Sequence, residues 1–292
     1  MVTAVKIFFA YQSASKSGMV DNVDAIKDAI SSINREYSYY AQSWEDLRHN
    51  GRILVNAVLE AIDECDVFAC DLTFMNHNVL FELGYAISKN KRLFLLLNEN
   101  VTDASRNYAK IDILKTVVYS TFVNSRDILH ELEKVPPEPN LLDDLMISNR
   151  NISILHDIFY ISNATNSQSE LDTYEYLRRS TYHVMFDASS EVEYRPFAKY
   201  LESILSANNV VVHITNSYYS SSFEENAKAS LLAGFACGMD RNVLILAPHP
   251  YTAPIDYADI MIMYQNANDC TSKLHEWLEK YVHPVTGSTG AT

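Results

Sequence analysis

Residues 67–97 read VFACDLTFMNHNVLFELGYAISKNKRLFLLL, and the order of patterns within them decides the fold. Val67 to Leu72 and Leu93 to Leu97 are short runs apolar on both faces, and each predicts a strand buried inside a sheet. Between them, residues 78–88 predict a helix, with Asn76 placed to cap its start. Strand, helix and strand in such short succession form a crossover, which requires parallel strands with helices packed on the sheet.

The same alternation continues outward. VKIFFA (residues 5–10) is a buried strand, and residues 21–34 carry Val23, Ile26, Ile30 and Ile33 at helical spacing behind Asp21 or Asn22 as a cap. Residues 37–42 are strand-like, residues 53–62 helical, and residues 117–134 add one more strand and helix. Right-handed crossovers place every strand's C-terminal end, and hence the ligand crevice, on one edge of the sheet. Residues 1–134 are therefore expected to form one α/β unit. Residues 135–170 read as a linker region, opened by KVPPEPN (residues 134–140) and closed by the polar NATNSQSE (residues 163–170). Residues 171–283 restart the pattern, and residues 284–292 (PVTGSTGAT) read as a disordered tail.

The two halves resemble each other. Placing Gly84 on Gly234 sets FELGYAISKNKRLFLLL beside LLAGFACGMDRNVLILA and also matches Ala86 to Ala236. Matching the opening strands, Phe9 on Phe186, needs a longer offset, so the second copy is expected to lack one strand-plus-helix unit. The expected fold is α/β, with two flavodoxin/Rossmann-like parallel-sheet units, the second a degenerate copy of the first. Two ordinary α/β units alike by pattern alone remain the alternative.

Composition narrows the function. Apolar residues make up 48% and charged residues 21%, enough for a sizeable core. A net charge of −14, with 23 basic against 37 acidic residues and no basic run, argues against direct nucleic-acid binding. The absence of a long apolar run argues against a membrane span, and the start resembles no signal peptide, so a cytoplasmic location is expected. Cys65, Cys70, Cys237 and Cys270 form no CxxC pair and read as reduced. The nine histidines form no HExxH or His/Cys grouping, so no metal site is expected. With seven glycines and neither GxGxxG nor GxxxxGK[ST], a bound dinucleotide cofactor or a P-loop is not supported.

The chemistry falls in residues 71–86. Asp71 ends a buried strand, a polar loop follows, and the helix start directs free amide groups at the crevice. Glu82 lies one turn beyond Asn78 on the same side of that helix, among Leu80, Phe81 and Leu83. It is either a partly desolvated carboxylate fit to be a nucleophile or a charge stabiliser, or a solvated acid favoured by the helix dipole. Phe9 and Tyr11 border the same edge; either could stack on a base, and Phe9 could equally be core. Trp44 and Asp46, after the second strand, could reach a ligand, with a packed loop anchor as the alternative for Trp44.

DLT…NHNVLFELGYA resembles the signature of the TIR-like and nucleoside 2-deoxyribosyltransferase-like superfamily, over about residues 5–98. The resemblance implies cleavage of an N-glycosidic bond at ribose C1′ in nucleosides, nucleotides or NAD. Glu82 matches the family's catalytic glutamate, Asp71 its ribose- or base-holding strand-end acid, and Asn78 the polar residue before the glutamate. Asn76-His77-Asn78 stands where deoxyribosyltransferases carry a further Asp and a Gly-Thr pair, which favours the NAD-cleaving side over base exchange. The resemblance further implies a small nucleotide ligand as substrate, no required cofactor, and a bacterial antiphage effector working as a homo-oligomer or with a partner defence protein. A non-catalytic nucleotide-binding module is the remaining reading. In the second half Leu232 stands at the position of Glu82, so that copy is expected to be non-catalytic. Glu224, Glu225 and Asn226 there either bind a regulatory nucleotide or are solvated helix-start groups.

Overall fold

The computed structural model describes residues 4–13, 17–47, 53–138, 141–145, 152–162, 167–187, 196–216, 218–219 and 221–282. The first unit runs β1 (Val5–Ala10), α1 (Ser17–Glu36), β2 (Tyr39–Ser43), α2 (Leu54–Glu64), β3 (Val67–Asp71), α3 (His77–Ser88), β4 (Arg92–Asn98), α4 (Ala104–Lys110), β5 (Ser120–Phe122) and α5 (Ser125–Leu132). Its five strands are all parallel, in the order β2-β1-β3-β4-β5. β3 is buried at every position, as a strand covered on both faces must be. α2 turns Ala57, Val58, Ala61 and Ile62 inward, the stripe that helical periodicity demands. The order of the strands reverses between β1 and β3, and the crevice beyond their C-terminal ends is where this topology binds ligands.

After the short α6 (Leu141–Asp144), the second unit runs β6 (His156–Ile161), α7 (Gln168–Arg179), β7 (Val184–Phe186), α8 (Phe197–Leu205), β8 (Ala207–His213), α9 (Ser222–Gly238), β9 (Asn242–Pro248), β10 (Met261–Tyr264) and α10 (Ala267–Tyr281). Its sheet, β10-β9-β8-β6-β7, is also all parallel and has the same strand order as the first when read from the other edge.

This corrects two expectations. The second copy lacks no strand, because β6 lies inside the stretch 135–170 read as a linker, together with α6 and the start of α7. β6 escapes notice because its sequence, HDIFYI, opens with two polar residues. Asp157 is nonetheless fully buried, and its carboxylate accepts from the backbone N–H of His183. The partner of β1 is therefore β6, and the strand at Phe186 is the counterpart of β2. Residues 284–292 lie outside the described residues.

One hydrophobic core runs through both units, joined where α3 crosses α9. Leu80, Phe81 and Leu83 pack there with Leu231, Leu232 and Phe235, each burial contributing roughly 1.5–3 kcal/mol. The crossing is made by two glycines placed alike on the two helices. A methyl group on Gly84 would overlap the carbonyl oxygen of Leu231 and lie 2.8 Å from the backbone nitrogen of Phe235. One on Gly234 would overlap the carbonyl of Phe81 in the same way. The Gly84–Gly234 correspondence seen in the sequence is thus an approximate twofold axis within one chain. Among the described residues no helix is long and apolar enough to cross a membrane.

Candidate functional site

α3 starts at Asn76, whose side-chain oxygen accepts from the backbone N–H groups of Asn78 (2.9 Å) and Val79 (3.3 Å). This cap orients the first turn toward the crevice. Because α3 packs on its own sheet and also on α9, residues Val79 to Ile87 are all buried. Glu82 is buried with them, at 6% exposure, which removes the reading of a solvated surface acid.

A cavity of about 230 Å³ opens at the C-terminal edge of the first sheet. Tyr11, Trp44, Asn76, Asn78 and Glu82 line it, so five of the eight residues singled out in the sequence meet there. Tyr11 and Trp44 form one aromatic wall, with ring centroids 6.2 Å apart and planes tilted by 57°. The Trp44 indole N–H donates to the Tyr11 carbonyl at 3.1 Å, and the Tyr11 hydroxyl donates to Ser43 Oγ at 3.3 Å. Burial pushes the Tyr11 phenol up to about 12, so it stays a neutral donor.

The other three residues lie elsewhere. Phe9 is core, packed with residues of α1 and β3. The Asp46 carboxylate accepts from Ser43 N (2.7 Å) and Ser43 Oγ (3.1 Å), which holds the turn Trp44–Leu47 in place. Asp71 is buried and accepts from Thr73 N (3.0 Å), Thr73 Oγ1 and Asn22 Nδ2. Asn98 closes this network, donating its side-chain N–H to Asn22 Oδ1 and its backbone N–H to Thr73 Oγ1, both at 2.9 Å. Asp71 therefore ties β3 to α1 and β4, and it is not among the residues lining the cavity.

The second unit closes the cavity with a segment that sequence reading passed over. The helical turn Ile255–Ile260, after β9, brings Ile255 and Asp256 into the lining. The Asp256 backbone N–H donates to Asn78 Oδ1 at 3.3 Å, and Tyr251 Oη lies 3.4 Å from His77 Nδ1. The Tyr257 ring packs on Phe81 at 5.4 Å between centroids, and Tyr257 Oη is 3.0 Å from Ser230 Oγ. The segment is thus fixed to both α3 and α9. Its signal in the sequence is weak: a lone acid between prolines and tyrosines, far from the motif.

The carboxyl groups of Glu82 and Asp256 adjoin each other, within reach of a shared hydrogen bond. Burial, followed by the charge and hydrogen bond of Asp256, raises the Glu82 carboxyl well above the usual carboxylate range. Burial pushes Asp256 up to about 6, with the hydrogen bond from Glu82 opposing the rise. Two acids side by side in one buried wall cannot both ionise cheaply, which favours a proton on the pair, with Glu82, the more strongly raised, as its seat. Asp256 Oδ2 is buried and has no hydrogen-bond partner. Burial also lowers the neighbouring His77, which keeps it neutral.

Among the described residues of the second unit there is no such pair. Leu232 is fully buried in the helix crossing. His213, which pairs with Leu246 as Asp71 pairs with Leu96, sits between Tyr160 Oη (3.0 Å) and Tyr264 Oη (2.8 Å). Burial holds His213 near 4, hence neutral. Asn226 clamps Thr215 through both its amide groups, Glu225 pairs with Lys228 at 2.9 Å, and Glu224 pairs with Lys110 at 3.4 Å. A wider cleft of about 520 Å³ lies beside Asn242 and Trp277, at the start of β9. That is the opposite edge from the one where such sheets bind ligands. Among the described residues no cluster of three or more His, Cys, Asp or Glu could hold a metal ion, and all four cysteines are free thiols.

No family model and no curated protein matches the sequence. Among solved structures, the chain is similar to a CMP N-glycosidase from Clostridium botulinum, at 19% identity and a TM-score of 0.31, over 44% of this chain and 98% of that one.

Proposed function

We propose that this protein hydrolyses the N-glycosidic bond of NAD or a related nucleotide, with Glu82 as the catalytic carboxylate. The observation that carries the reading is a buried carboxyl in the wall of a crevice whose other side is aromatic. Breaking the bond between ribose C1′ and a base leaves an oxocarbenium-like centre, and a carboxylate beside C1′ stabilises it until water attacks. Tyr11 and Trp44 supply a face for the base, while Asn78 and the capped start of α3 lie beside the sugar. The DLT…NHNVLFELGYA resemblance supports the same assignment, with Asp71 shaping the loop. Water is the only co-reactant this chemistry needs, so no cofactor is required.

The cavity's size bears on the substrate. At about 230 Å³ it falls below the roughly 300–1,000 Å³ of typical small-molecule sites. It suits one sugar-and-base end, so NAD would enter by its nicotinamide riboside half. Through the resemblance, a cytoplasmic antiphage effector acting as a homo-oligomer or with a partner defence protein belongs to the same proposal.

The test is chromatography of free base after incubation with NAD, a mononucleotide panel and a deoxynucleoside panel. Release without an acceptor base supports hydrolysis, and release that requires one moves the assignment to deoxyribosyl transfer. Release that survives loss of the Glu82 carboxyl, or no release from any substrate, overturns the proposal. Trp44→Ala is expected to raise KM roughly tenfold with little change in kcat, since stacking on a base is worth about 1–3 kcal/mol. Steady-state kinetics on the best substrate measures this.

A further inference from the structure

We propose that Asp256, supplied by the second unit, is the proton-handling catalytic partner of Glu82, and that the composite pair serves substrates whose base must be protonated as it leaves. This rests on the N-glycosidic reading of the site. Three features of the geometry support it. Asp256 lines the same cavity as Glu82 and its carboxyl adjoins that of Glu82, so a proton on one carboxyl can pass to the other. Its position is fixed from outside the pair, through its N–H bond to Asn78 and the packing of Tyr257 on Phe81. Its Oδ2 is buried without a hydrogen-bond partner, an arrangement that costs stability and that a donor or acceptor on a ligand would relieve.

The step balances as follows. The C1′–N bond breaks and its electron pair goes to the base nitrogen, which takes the proton held by the pair. Positive charge growing at C1′ beside Glu82 favours its ionised form, so the proton moves across the hydrogen bond to Asp256 and from there to the base. The oxygen of a water molecule then bonds to C1′, and the proton it loses returns to the carboxyl pair. The products are a free sugar hydroxyl and a neutral base, with the pair again holding one proton.

A pyridinium base behaves differently. Nicotinamide leaves a cationic nucleotide as a neutral molecule and needs no proton, so it calls on the pair only for the attacking water. Cytosine and adenine leave as anions unless protonated. A pair that stores a proton extends the related nucleotides the site can cleave to those of the second kind.

The experiment compares CMP, AMP and nicotinamide mononucleotide, which share ribose 5-phosphate and differ in the base. Asp256→Asn is expected to lose about a hundredfold or more in kcat/KM on CMP and AMP and about tenfold less than that on nicotinamide mononucleotide, where only the water's proton is at stake. Far-UV circular dichroism and a cooperative urea transition show that the variant is folded. Equal loss on all three overturns the proton-handling role and leaves Asp256 as a positioning residue. Unchanged rates on all three overturn it outright. Base release by the wild type from none of the three, nor from NAD, overturns the N-glycosidic reading and this inference together. Activity confined to nicotinamide mononucleotide preserves that reading and overturns only this inference.

Discussion

Glu82→Gln is expected to release base at about a thousandth of the wild-type rate or less and, at the same time, to be less sensitive to rising pH in its stability. The amide has the shape of the acid and still donates to Asp256, but it cannot carry the negative charge that a C1′ cation needs. The second effect follows from linkage. Burial raises the folded-state Glu82 carboxyl well above its usual 4.5, so above that pH the folded protein binds a proton the unfolded chain has released. Stability then falls as pH rises, by about 1.4 kcal/mol per pH unit for as long as folded Glu82 keeps its proton. Asp256 adds to the fall between its usual 3.8 and about 6, for a total of about 3 kcal/mol. Urea denaturation from pH 4 to pH 8 measures both slopes. Parallel stability curves for the wild type and Glu82→Gln would show that the carboxyl is not held protonated. A site that weakens its own fold in this way is characteristic of function.

Gly84→Val is expected to destabilise the fold by about 3 kcal/mol or more, the upper end of overpacking costs. The obstacle is backbone: a side chain at Gly84 meets the Leu231 carbonyl and the Phe235 nitrogen, and helix backbones cannot rotate out of the way. Only separation of α3 from α9 makes room, and that strips cover from Leu80, Leu83, Leu231 and Leu232. Gly238→Ala is the control. There the nearest obstacle is the Ser88 hydroxyl, which can turn, and the Ser88 Cβ at 2.9 Å needs only a small shift, so the expected loss is smaller, about 1–2 kcal/mol. Denaturation midpoints for the two variants test the contrast. Equal, small losses would mean that the crossing is looser than described. Because Asp256 is seated on α3 and α9, Gly84→Val is also expected to lower base release more than its stability loss accounts for.

The parallel architecture was legible because β1, β3 and β4 are short, apolar on both faces and separated by amphipathic helices. β6 was not legible, because local pattern cannot show that Asp157 is satisfied by the backbone of His183, 26 residues on and one strand away in the sheet. The site divides in the same way. Glu82, Asn76 and Asn78 share one helix start, and Tyr11 and Trp44 follow neighbouring strands, so topology alone gathers them. Asp71 is ambiguous in the sequence because the strand-end position is common to substrate-holding acids and to acids that fasten loops. Only Asn22 and Asn98, which come from other elements, distinguish the two. Asp256 was out of reach for a related reason. It meets Glu82 through the packing of two units, and no periodicity within either one encodes that meeting.

The glycine crossing has a consequence for how the molecule behaves when scarce. The two halves that complete the crevice are tethered, so their encounter is intramolecular and does not weaken on dilution as a pairing of separate chains would. Tethering also ends the obligation of symmetry. Two identical chains must carry the same residue on both sides of a twofold axis, whereas here Leu232 can fill the crossing while Glu82 keeps its acid. One half has been free to specialise as the wall and lid of the other.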